Sequence, residues 1–169
     1  MILQYSVKFD TILEIGPGAG RWSGKLVEIC DNLILVDQSE TCIDILKQKF
    51  SRNKKVNCIL NNGKKLTTVE NNSIDFIWSF DVFVHIDEIT TESYIAEFHR
   101  VMKKNGIAII HHPKKGGSAG GWRSNTSSEK FLEILSKNGL KLTSQVDSWG
   151  DREQFNLMKH NDIISIFAK

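Results

Sequence analysis

The sequence predicts an α/β protein in which helices cover both faces of a mostly parallel sheet. Short apolar runs of strand length alternate with segments of helical periodicity through the first two thirds of the chain, which is the pattern of right-handed strand–helix–strand crossovers. The first apolar run leads into three glycines at every second position, Gly16, Gly18 and Gly20. With 169 residues and 40% hydrophobic content, the chain is long enough for one core, and we predict a single domain over residues 1–169.

The elements follow from apolar runs of strand length and from segments with a helical apolar period. We predict strand 11–15, helix 20–30, strand 33–37, helix 40–50, strand 56–60, strand 74–79, helix 89–103, strand 106–111 and helix 127–138. Two helices end at a Lys-Asn-Gly signal, where Gly106 and Gly139 are expected to take the left-handed position after the last turn. Segments 140–146 and 162–168 are typical of strands, with no helix between them that is long enough for a crossover. They are therefore expected to pair antiparallel.

Composition excludes several classes of protein. A formal net charge of +2 is too small to predict a nucleic-acid partner, and no apolar run is long enough to predict a membrane helix. The first residues lack the basic region of a secretion signal. Cys30, Cys42 and Cys58 have no CxxC spacing, so we expect buried, reduced thiols rather than disulfides or metal ligands. These features predict a cytoplasmic protein.

The glycine-rich turn and the acidic residue after the second strand predict a nucleotide-type cofactor. Glycines let the backbone turn tightly and approach a ligand, and the helix that follows directs unpaired N–H groups towards it. Asp37 ends the run Leu33 to Val36, where an acidic side chain can accept hydrogen bonds from a ribose diol. An NAD-dependent oxidoreductase is the alternative. It is disfavoured because the dinucleotide-binding fingerprint of dehydrogenases has glycine at position 21, where this chain has Arg21.

With Glu14 placed two residues before Gly16, the glycine turn and Asp37 resemble class I S-adenosylmethionine-dependent methyltransferases. The resemblance continues through segments 61–63, 74–81 and 100–106 and covers nearly the whole chain from residue 10 onward. Segment 78–86 is especially similar to a bacterial subgroup of small-molecule methyltransferases. We therefore predict a Rossmann-like three-layer sandwich with strand order 3-2-1-4-5-7-6, strand seven antiparallel, and S-adenosyl-L-methionine bound at the carboxyl ends of strands one to four.

The resemblance implies where each part of this methyl donor lies. The glycine turn packs against its amino-acid and ribose portion, Glu14 shapes the turn or assists the ammonium, Asp37 binds the ribose, and Gln38 flanks the adenine. Asn62 replaces the more usual Asp near the adenine edge. The implied cofactor-binding residues are Glu14, Gly16, Pro17, Gly18, Gly20, Asp37, Gln38, Asn62, Gly63, Ser79 and Phe80.

Three residues are candidates for catalysis. Asp81 can orient the acceptor or the donor's ammonium, or it can cap the following turn. His85 is the best-placed general base, because an unperturbed imidazole accepts a proton near neutral pH; alternatively it satisfies a backbone carbonyl. His111 is the third candidate; it and His112 end strand 106–111 and are expected to point to opposite sides, so at most one faces the pocket. No second carboxylate accompanies the pair, and no metal is predicted.

The segment after strand 106–111 is a second candidate for acceptor binding. The glycine-rich stretch 114–121 is either a flexible connection or a mobile lid. Trp122 and Arg123 follow it and either grip an aromatic or anionic acceptor or anchor the loop.

These observations predict methyl transfer from S-adenosylmethionine to an oxygen or nitrogen of a small-molecule acceptor. A non-catalytic donor-binding or scaffolding domain is an alternative from another class. Nucleic-acid methylation is disfavoured by the small charge and by the lack of an Asn-Pro-Pro-Tyr type fourth motif. Because the cap before Ile12 is minimal, we expect an open pocket, or a cover supplied by a homodimer or another partner.

Overall fold

The computed structural model describes residues 8–117, 122–150, 155–157 and 160–169. Its strands are β1 Phe9–Ile15, β2 Cys30–Asp37, β3 Val56–Leu60, β4 Ile74–Ser79, β5 Met102–Pro113, β6 Lys141–Val146, β7 Ser148–Trp149, β8 Phe155–Asn156 and β9 Asp162–Ala168. Its helices are α1 Ser23–Leu26, α2 Glu40–Lys49, α3 Glu88–Val101 and α4 Ser128–Lys137. A 3-10 turn over Val27–Ile29 follows α1.

Seven strands form one sheet in the order β3-β2-β1-β4-β5-β9-β6. The pairs from β3 to β5 are parallel, and β9 runs antiparallel to both β5 and β6. The predicted fold class and strand order are therefore confirmed, with β9 as strand seven. β7 and β8 form a separate two-stranded ribbon.

The sheet is apolar on both faces, which is why its strands read as continuous apolar runs. Neighbouring residues of β1 point to opposite sides. Ile12 packs into a cluster with Phe76 and Trp78, whereas Leu13 packs into a cluster with Ile77 and Phe98. All six side chains are no more than 1% exposed. One core therefore lies on each face of the sheet, as a three-layer sandwich requires.

The predicted helix 20–30 is wrong in extent. Gly20 still has a positive φ of 77°, which keeps the backbone out of the helix, so α1 begins only at Ser23 and has four residues. The chain is already extended at Cys30, because Cys30 pairs with Phe9 at the start of β1. Tertiary pairing here overrides local helix propensity.

The end of the predicted helix 89–103 also differs. The helix ends at Val101 because Met102 pairs with Ile74 of β4, so β5 begins earlier than predicted. Asn105, rather than Gly106, takes the positive φ, at 65°. The second expected signal is confirmed, since Gly139 has a φ of 72° after α4.

No helix within the described residues is both long enough and apolar enough to cross a membrane. Cys30 is buried, while Cys42 and Cys58 are half-buried, and all three are free thiols. The expectation that all three are buried is therefore met by Cys30 alone.

Candidate functional site

A cavity of about 460 Å³ opens at the carboxyl ends of β1, β2 and β4, beside the start of α3. This is the edge of a doubly wound sheet where ligands bind, and the volume is in the range of small-molecule sites. The cavity is lined by Ile15, Gly16, Gly18, Val36, Asp37, Gln38, Asn62, Gly63, Lys64, Asp81, Val82, His85, Ile86, Asp87, Thr90 and Tyr94. Eight of the residues singled out from the sequence are among them: Gly16, Gly18, Asp37, Gln38, Asn62, Gly63, Asp81 and His85.

The glycine turn has two positions with different surroundings. Gly16 has a φ of 65°, and a Cβ there would lie 2.3 Å from Cγ2 of Val82. Gly18 has a φ of 54°, and a Cβ there would meet no atom within 4 Å. Gly16 is thus required for packing, whereas Gly18 exposes bare backbone to the space in which a ligand would lie.

Hydrogen bonds with β2, within the turn itself and from α2 hold the glycine turn in place. The Gly16 N–H donates to the Val36 carbonyl at 2.9 Å, and the Gly20 N–H donates to the Pro17 carbonyl at 2.8 Å. The Lys49 ammonium donates to the carbonyl of Gly20 at 2.6 Å. These bonds pre-organise the loop by fixing the carbonyls of Pro17 and Gly20. Pro17 and Gly20 are buried and do not line the cavity.

The carboxylate of Asp37 connects the end of β2 to the glycine turn. Its Oδ2 accepts from the Gly18 N–H at 3.1 Å, and its Oδ1 accepts from the Ser39 N–H at 2.9 Å. A carboxylate has about four acceptor positions, so both oxygens retain lone pairs for further donors. Asp37 is half-buried and lines the cavity.

Gln38, Asn62 and Gly63 form one wall of the cavity. A Cβ on Gly63 would lie 2.5 Å from Oε1 of Gln38, so the Gln38 side chain rests against bare backbone. Oδ1 of Asn62 accepts from the N–H groups of Lys64 and Lys65, at 3.0 and 3.3 Å. Asn62 therefore stabilises its own turn while lining the cavity.

Glu14 and Ser79 lie behind the cavity wall. Glu14 is 2% exposed, and its Oε2 accepts from the Ser23 hydroxyl at 2.6 Å. Burial raises the pKa of Glu14 to about 7, although the Ser23 hydrogen bond and the nearby Lys49 oppose that rise. The Ser79 hydroxyl donates to the Ile15 carbonyl at 3.0 Å. Neither side chain lines the cavity, and both brace the strand ends that form it.

Asp81 lies two residues after the end of β4 and has an unusual backbone conformation. Its φ is 64°, a region that non-glycine residues rarely adopt and that is often found at functional sites. Its side chain is exposed in the cavity, and its backbone N–H donates to Nδ1 of His111 at 3.0 Å. The cap of α3 comes instead from Asp87, whose Oδ1 accepts from the Thr90 N–H at 2.7 Å.

His85 is exposed at the cavity wall, and its Nδ1 lies 3.1 Å from the carbonyl oxygen of Trp122. Because a carbonyl oxygen can only accept, the contact places the proton of a neutral ring on Nδ1. The Nε2 lone pair then has no hydrogen-bond partner among the residues that the structure describes. The two roles considered for His85 are compatible, since the ring satisfies a backbone carbonyl and still presents a basic nitrogen.

His111 and His112 point to opposite faces of β5, as expected. His111 is 3% exposed and does not line the cavity; its ring stacks on Phe80 at 4.4 Å. His112 stacks on Phe131 at 3.9 Å, and its Nε2 lies 2.7 Å from the Ser165 hydroxyl. Burial lowers the pKa of His112 to about 3, so this ring is neutral.

Phe80 and Arg123 are held by internal contacts. Phe80 is half-buried and packs against Trp22 at 5.3 Å as well as against His111. Arg123 forms an ion pair with Asp162, so it anchors its segment, whereas Trp122 is 61% exposed beside His85.

Part of the cavity was not foreseen from the sequence. Lys64, Val82, Ile86, Asp87, Thr90 and Tyr94 also line it. Asp87 and Glu88, the cap and first residue of α3, form a helix-start signal that could have indicated Asp87, because this helix begins at the cavity.

Two further expectations concern the same region. Residues 118–121 of the glycine-rich stretch lie outside the described residues, so the lid remains a prediction. Within the described ranges, no group of three His, Cys, Asp or Glu side chains is arranged to hold a metal ion.

Residues 13–110, more than half of the chain, match the model of a family described as a methyltransferase domain. The chain therefore belongs to this methyltransferase family. A search of curated proteins finds the ribosomal RNA small subunit methyltransferase A of Coxiella burnetii, 36% identical over 72 residues, which are 43% of this chain and 24% of that protein. The chain thus spans about a quarter of the length of this relative.

Solved structures share the fold over nearly the whole chain. A TehB-like methyltransferase from Corynebacterium glutamicum has a TM-score of 0.74 at 24% identity, covering 99% of this chain and 84% of that one. The N-methyltransferase NodS of Bradyrhizobium japonicum, in complex with S-adenosyl-L-homocysteine, has a TM-score of 0.76 at 18% identity, covering 95% and 78%. The predicted methyltransferase class is confirmed by the family match, and the NodS complex with S-adenosyl-L-homocysteine supports the predicted cofactor.

Proposed function

We propose that this protein transfers a methyl group from S-adenosylmethionine to a nitrogen or oxygen of a small-molecule acceptor. The observation that carries the proposal is a single cavity that combines the bare backbone of Gly18, the carboxylate of Asp37 and an imidazole, His85, whose Nε2 has no hydrogen-bond partner within the described part of the chain. The first two features suit a nucleoside-containing donor, and the third suits removal of a proton from an acceptor.

The residues present fit the donor. Asp37 would accept hydrogen bonds from the ribose hydroxyls, and the open face of Gly18 would lie against the donor's backbone-like portion. Gln38, Asn62 and Gly63 would flank the adenine. Glu14 would act through the loop, since its carboxyl is buried against Ser23. When bound, the donor supplies an electrophilic methyl group on a sulfonium.

His85 would act as the general base. Its Nδ1–H is held by the Trp122 carbonyl, so Nε2 can take a proton from an amine or hydroxyl as the acceptor's lone pair attacks the methyl carbon. Asp81 lies in the same cavity wall, four residues before His85. Its carboxylate would orient a cationic ammonium on either the donor or the acceptor.

The charges of the cavity favour a small amine over RNA as the acceptor. Three carboxylates, Asp37, Asp81 and Asp87, line the cavity with one lysine, Lys64. RNA phosphates are bound by clusters of Lys and Arg, and an acidic wall repels them. The matches to ribosomal RNA methyltransferases keep RNA as the second candidate, although they cover only 72 residues, which are 43% of this chain and 24% of that protein.

The experiment is a methyl-transfer screen with S-adenosylmethionine labelled in the methyl group. Panels of small amines, small alcohols and phenols, and small-subunit ribosomal RNA are tested with the full chain and with His85→Ala. Label transferred to a small amine or hydroxyl by the wild-type protein, and strongly reduced in the variant, supports the proposal. Label found in RNA alone would overturn it in favour of the second candidate.

A further inference from the structure

We infer that Asp162 is a positioning residue that holds both Asp81 and His85 in place through two separate branches of polar contacts. The inference rests on the proposed function for the roles of these two cavity residues. Asp162 is the first residue of β9 and is distant in sequence from the segment 78–86 that carries both of them. It is 2% exposed, so its carboxylate is enclosed by protein.

Each oxygen of this carboxylate faces a different partner. Oδ2 lies 3.3 Å from Nε2 of His111, a close electrostatic contact without hydrogen-bond geometry, and Oδ1 accepts from the guanidinium of Arg123. Burial alone would raise the pKa of Asp162, but the contacts from His111 and Arg123 outweigh it and hold the pKa below its ordinary value. The carboxylate is therefore ionised at neutral pH and attracts both donors.

The first branch runs through His111 to Asp81. Nδ1 of His111 accepts from the backbone N–H of Asp81 at 3.0 Å, so the proton of the neutral ring is on Nε2, which faces Asp162. The proton position at one ring nitrogen is set by the partner of the other. The Asp162 carboxylate thus favours the tautomer that can hold Asp81 in its left-handed conformation, which non-glycine residues otherwise avoid.

The second branch runs through Arg123 to His85. The ion pair with Asp162 anchors Arg123, and the segment that follows is tied to the turn after β4, because the Ser124 N–H donates to the Val84 carbonyl at 2.7 Å. Trp122 directly precedes these two anchored residues, and its carbonyl oxygen fixes the proton on Nδ1 of His85. Loss of the Arg123–Asp162 ion pair would let the Trp122 carbonyl move, and the proton of His85 would then no longer be fixed on Nδ1.

A role in general stability alone does not account for this arrangement. Burying a carboxylate is costly, and an ion pair in the interior is often no more stabilising than apolar side chains of similar size. Here both branches end on residues of the same cavity, one on a backbone amide and one on a ring nitrogen. A single buried charge therefore controls the two groups that the proposed chemistry requires to be fixed.

The test is Asp162→Asn in the full chain, with Asp147→Asn as the matched control. Asp147 is also a carboxylate with a lowered pKa, caused by its bond with Lys114, and its side chain is paired with that lysine rather than with His111 or Arg123. Long-range proton–nitrogen NMR correlations report which nitrogen of His85 carries the proton, and amide exchange reports the Asp81 N–H. Neither readout requires a donor or an acceptor, so the inference can fail or stand independently of the proposed function.

In the wild-type protein and in Asp147→Asn, we expect the proton of His85 on Nδ1 and a protected Asp81 amide. In Asp162→Asn, we expect a mixture of His85 tautomers and exchange of the Asp81 amide faster by about tenfold, the effect of losing one hydrogen bond. Unchanged readouts at both residues would overturn the inference.

Two further variants separate the branches and keep the test usable if Asp162→Asn does not fold. His111→Asn retains an acceptor near the Asp81 N–H and should keep the amide protected, whereas His111→Phe retains the ring stacking on Phe80 and should lose the protection. Arg123→Gln should change the tautomer of His85 and leave the Asp81 amide protected. Equal protection in His111→Asn and His111→Phe, or an unchanged His85 tautomer in Arg123→Gln, would remove the corresponding branch.

Discussion

The backbone N–H of Gly18 donates to Oδ2 of Asp37 at 3.1 Å, which ties the turn after β1 to the end of β2. The glycine turn is therefore ordered by the same carboxylate that faces the cavity. Asp37 has two tasks, since it holds the loop and retains lone pairs for a ribose. This coupling means that substitutions in the turn separate into those that damage packing and those that damage binding.

Gly16→Ala should mainly lower the stability of the fold, whereas Gly18→Ala should mainly lower the affinity for the donor. Alanine at position 16 places a Cβ 2.3 Å from Val82 in a positive-φ conformation, so we expect a loss of about 2–4 kcal/mol in the free energy of unfolding. Alanine at position 18 meets no protein atom and should cost only about 1 kcal/mol. Its methyl group would occupy ligand space, so donor affinity should fall about tenfold or more, which is about 1.4 kcal/mol or more.

Urea unfolding and calorimetric titration with S-adenosylhomocysteine measure the two effects. The double variant Gly16→Ala, Val82→Ala should recover part of the stability lost in Gly16→Ala, because it removes the Val82 methyl groups that would clash with the new Cβ. Equal stability of the two single variants, or wild-type affinity in Gly18→Ala, would contradict the assignment of the open face of Gly18 to the donor.

His85→Ala should lower turnover while leaving donor affinity nearly unchanged. The imidazole is assigned to the acceptor's proton, and general-base catalysis contributes typically 10²–10⁴-fold, so a loss of about that size in kcat is expected. Single-turnover methyl transfer and donor titration separate the two steps. His99→Ala is a suitable control, because His99 is exposed on α3 and does not line the cavity. Equal kcat in His85→Ala and the wild-type protein would exclude His85 as the base.

The buried Glu14 predicts a pH-dependent stability. Burial raises its pKa from an ordinary 4.5 to about 7, so the folded state binds the proton more tightly than the unfolded state does. The resulting stabilisation is fully present below pH 4.5 and is lost as the pH rises through about 7. The total is at most about 3 kcal/mol at 1.36 kcal/mol for each pH unit.

Glu14→Gln should remove this dependence. Relative to the wild-type protein, the variant should gain up to about 3 kcal/mol in free energy of unfolding between pH 4.5 and pH 8. Urea unfolding across that range provides the measurement, and Glu70→Gln, which replaces an exposed carboxylate, provides the control. A parallel pH profile for the wild-type protein and Glu14→Gln would show that Glu14 titrates normally.

The parts of the fold that could be predicted from sequence are those in which local pattern and burial agree. β1, β2 and β4 are buried on both faces, so their apolar runs were recognisable, and the glycine spacing indicated the cavity. The segment after Gly20 was mispredicted as a long helix, because nothing local reveals that Cys30 is extended by pairing with Phe9. Element limits of this kind are decided by partners distant in sequence.

The residues of the site are likewise predictable only where their position does not depend on partners distant in sequence. Asp37 ends β2, His85 follows β4, and both line the cavity. His111 has the same sequence context, yet its ring is enclosed by Phe80 and Asp162. Its partner lies on β9, and no spacing rule joins residues 111 and 162. Contacts that depend on the packing of distant strands become visible only in three dimensions.

The measurement that tests the central claim most directly is calorimetric titration of wild-type, Asp37→Ala and Asp44→Ala protein with S-adenosylmethionine, S-adenosylhomocysteine and NAD. Asp44 is an exposed carboxylate on α2 that does not line the cavity. We expect the wild-type protein and Asp44→Ala to bind the first two ligands equally and not NAD. Asp37→Ala should lose about 1–3 kcal/mol of binding free energy, because its charge-assisted bonds to the ribose and to the Gly18 amide disappear. Unchanged affinity in Asp37→Ala, or a preference for NAD, would contradict the account.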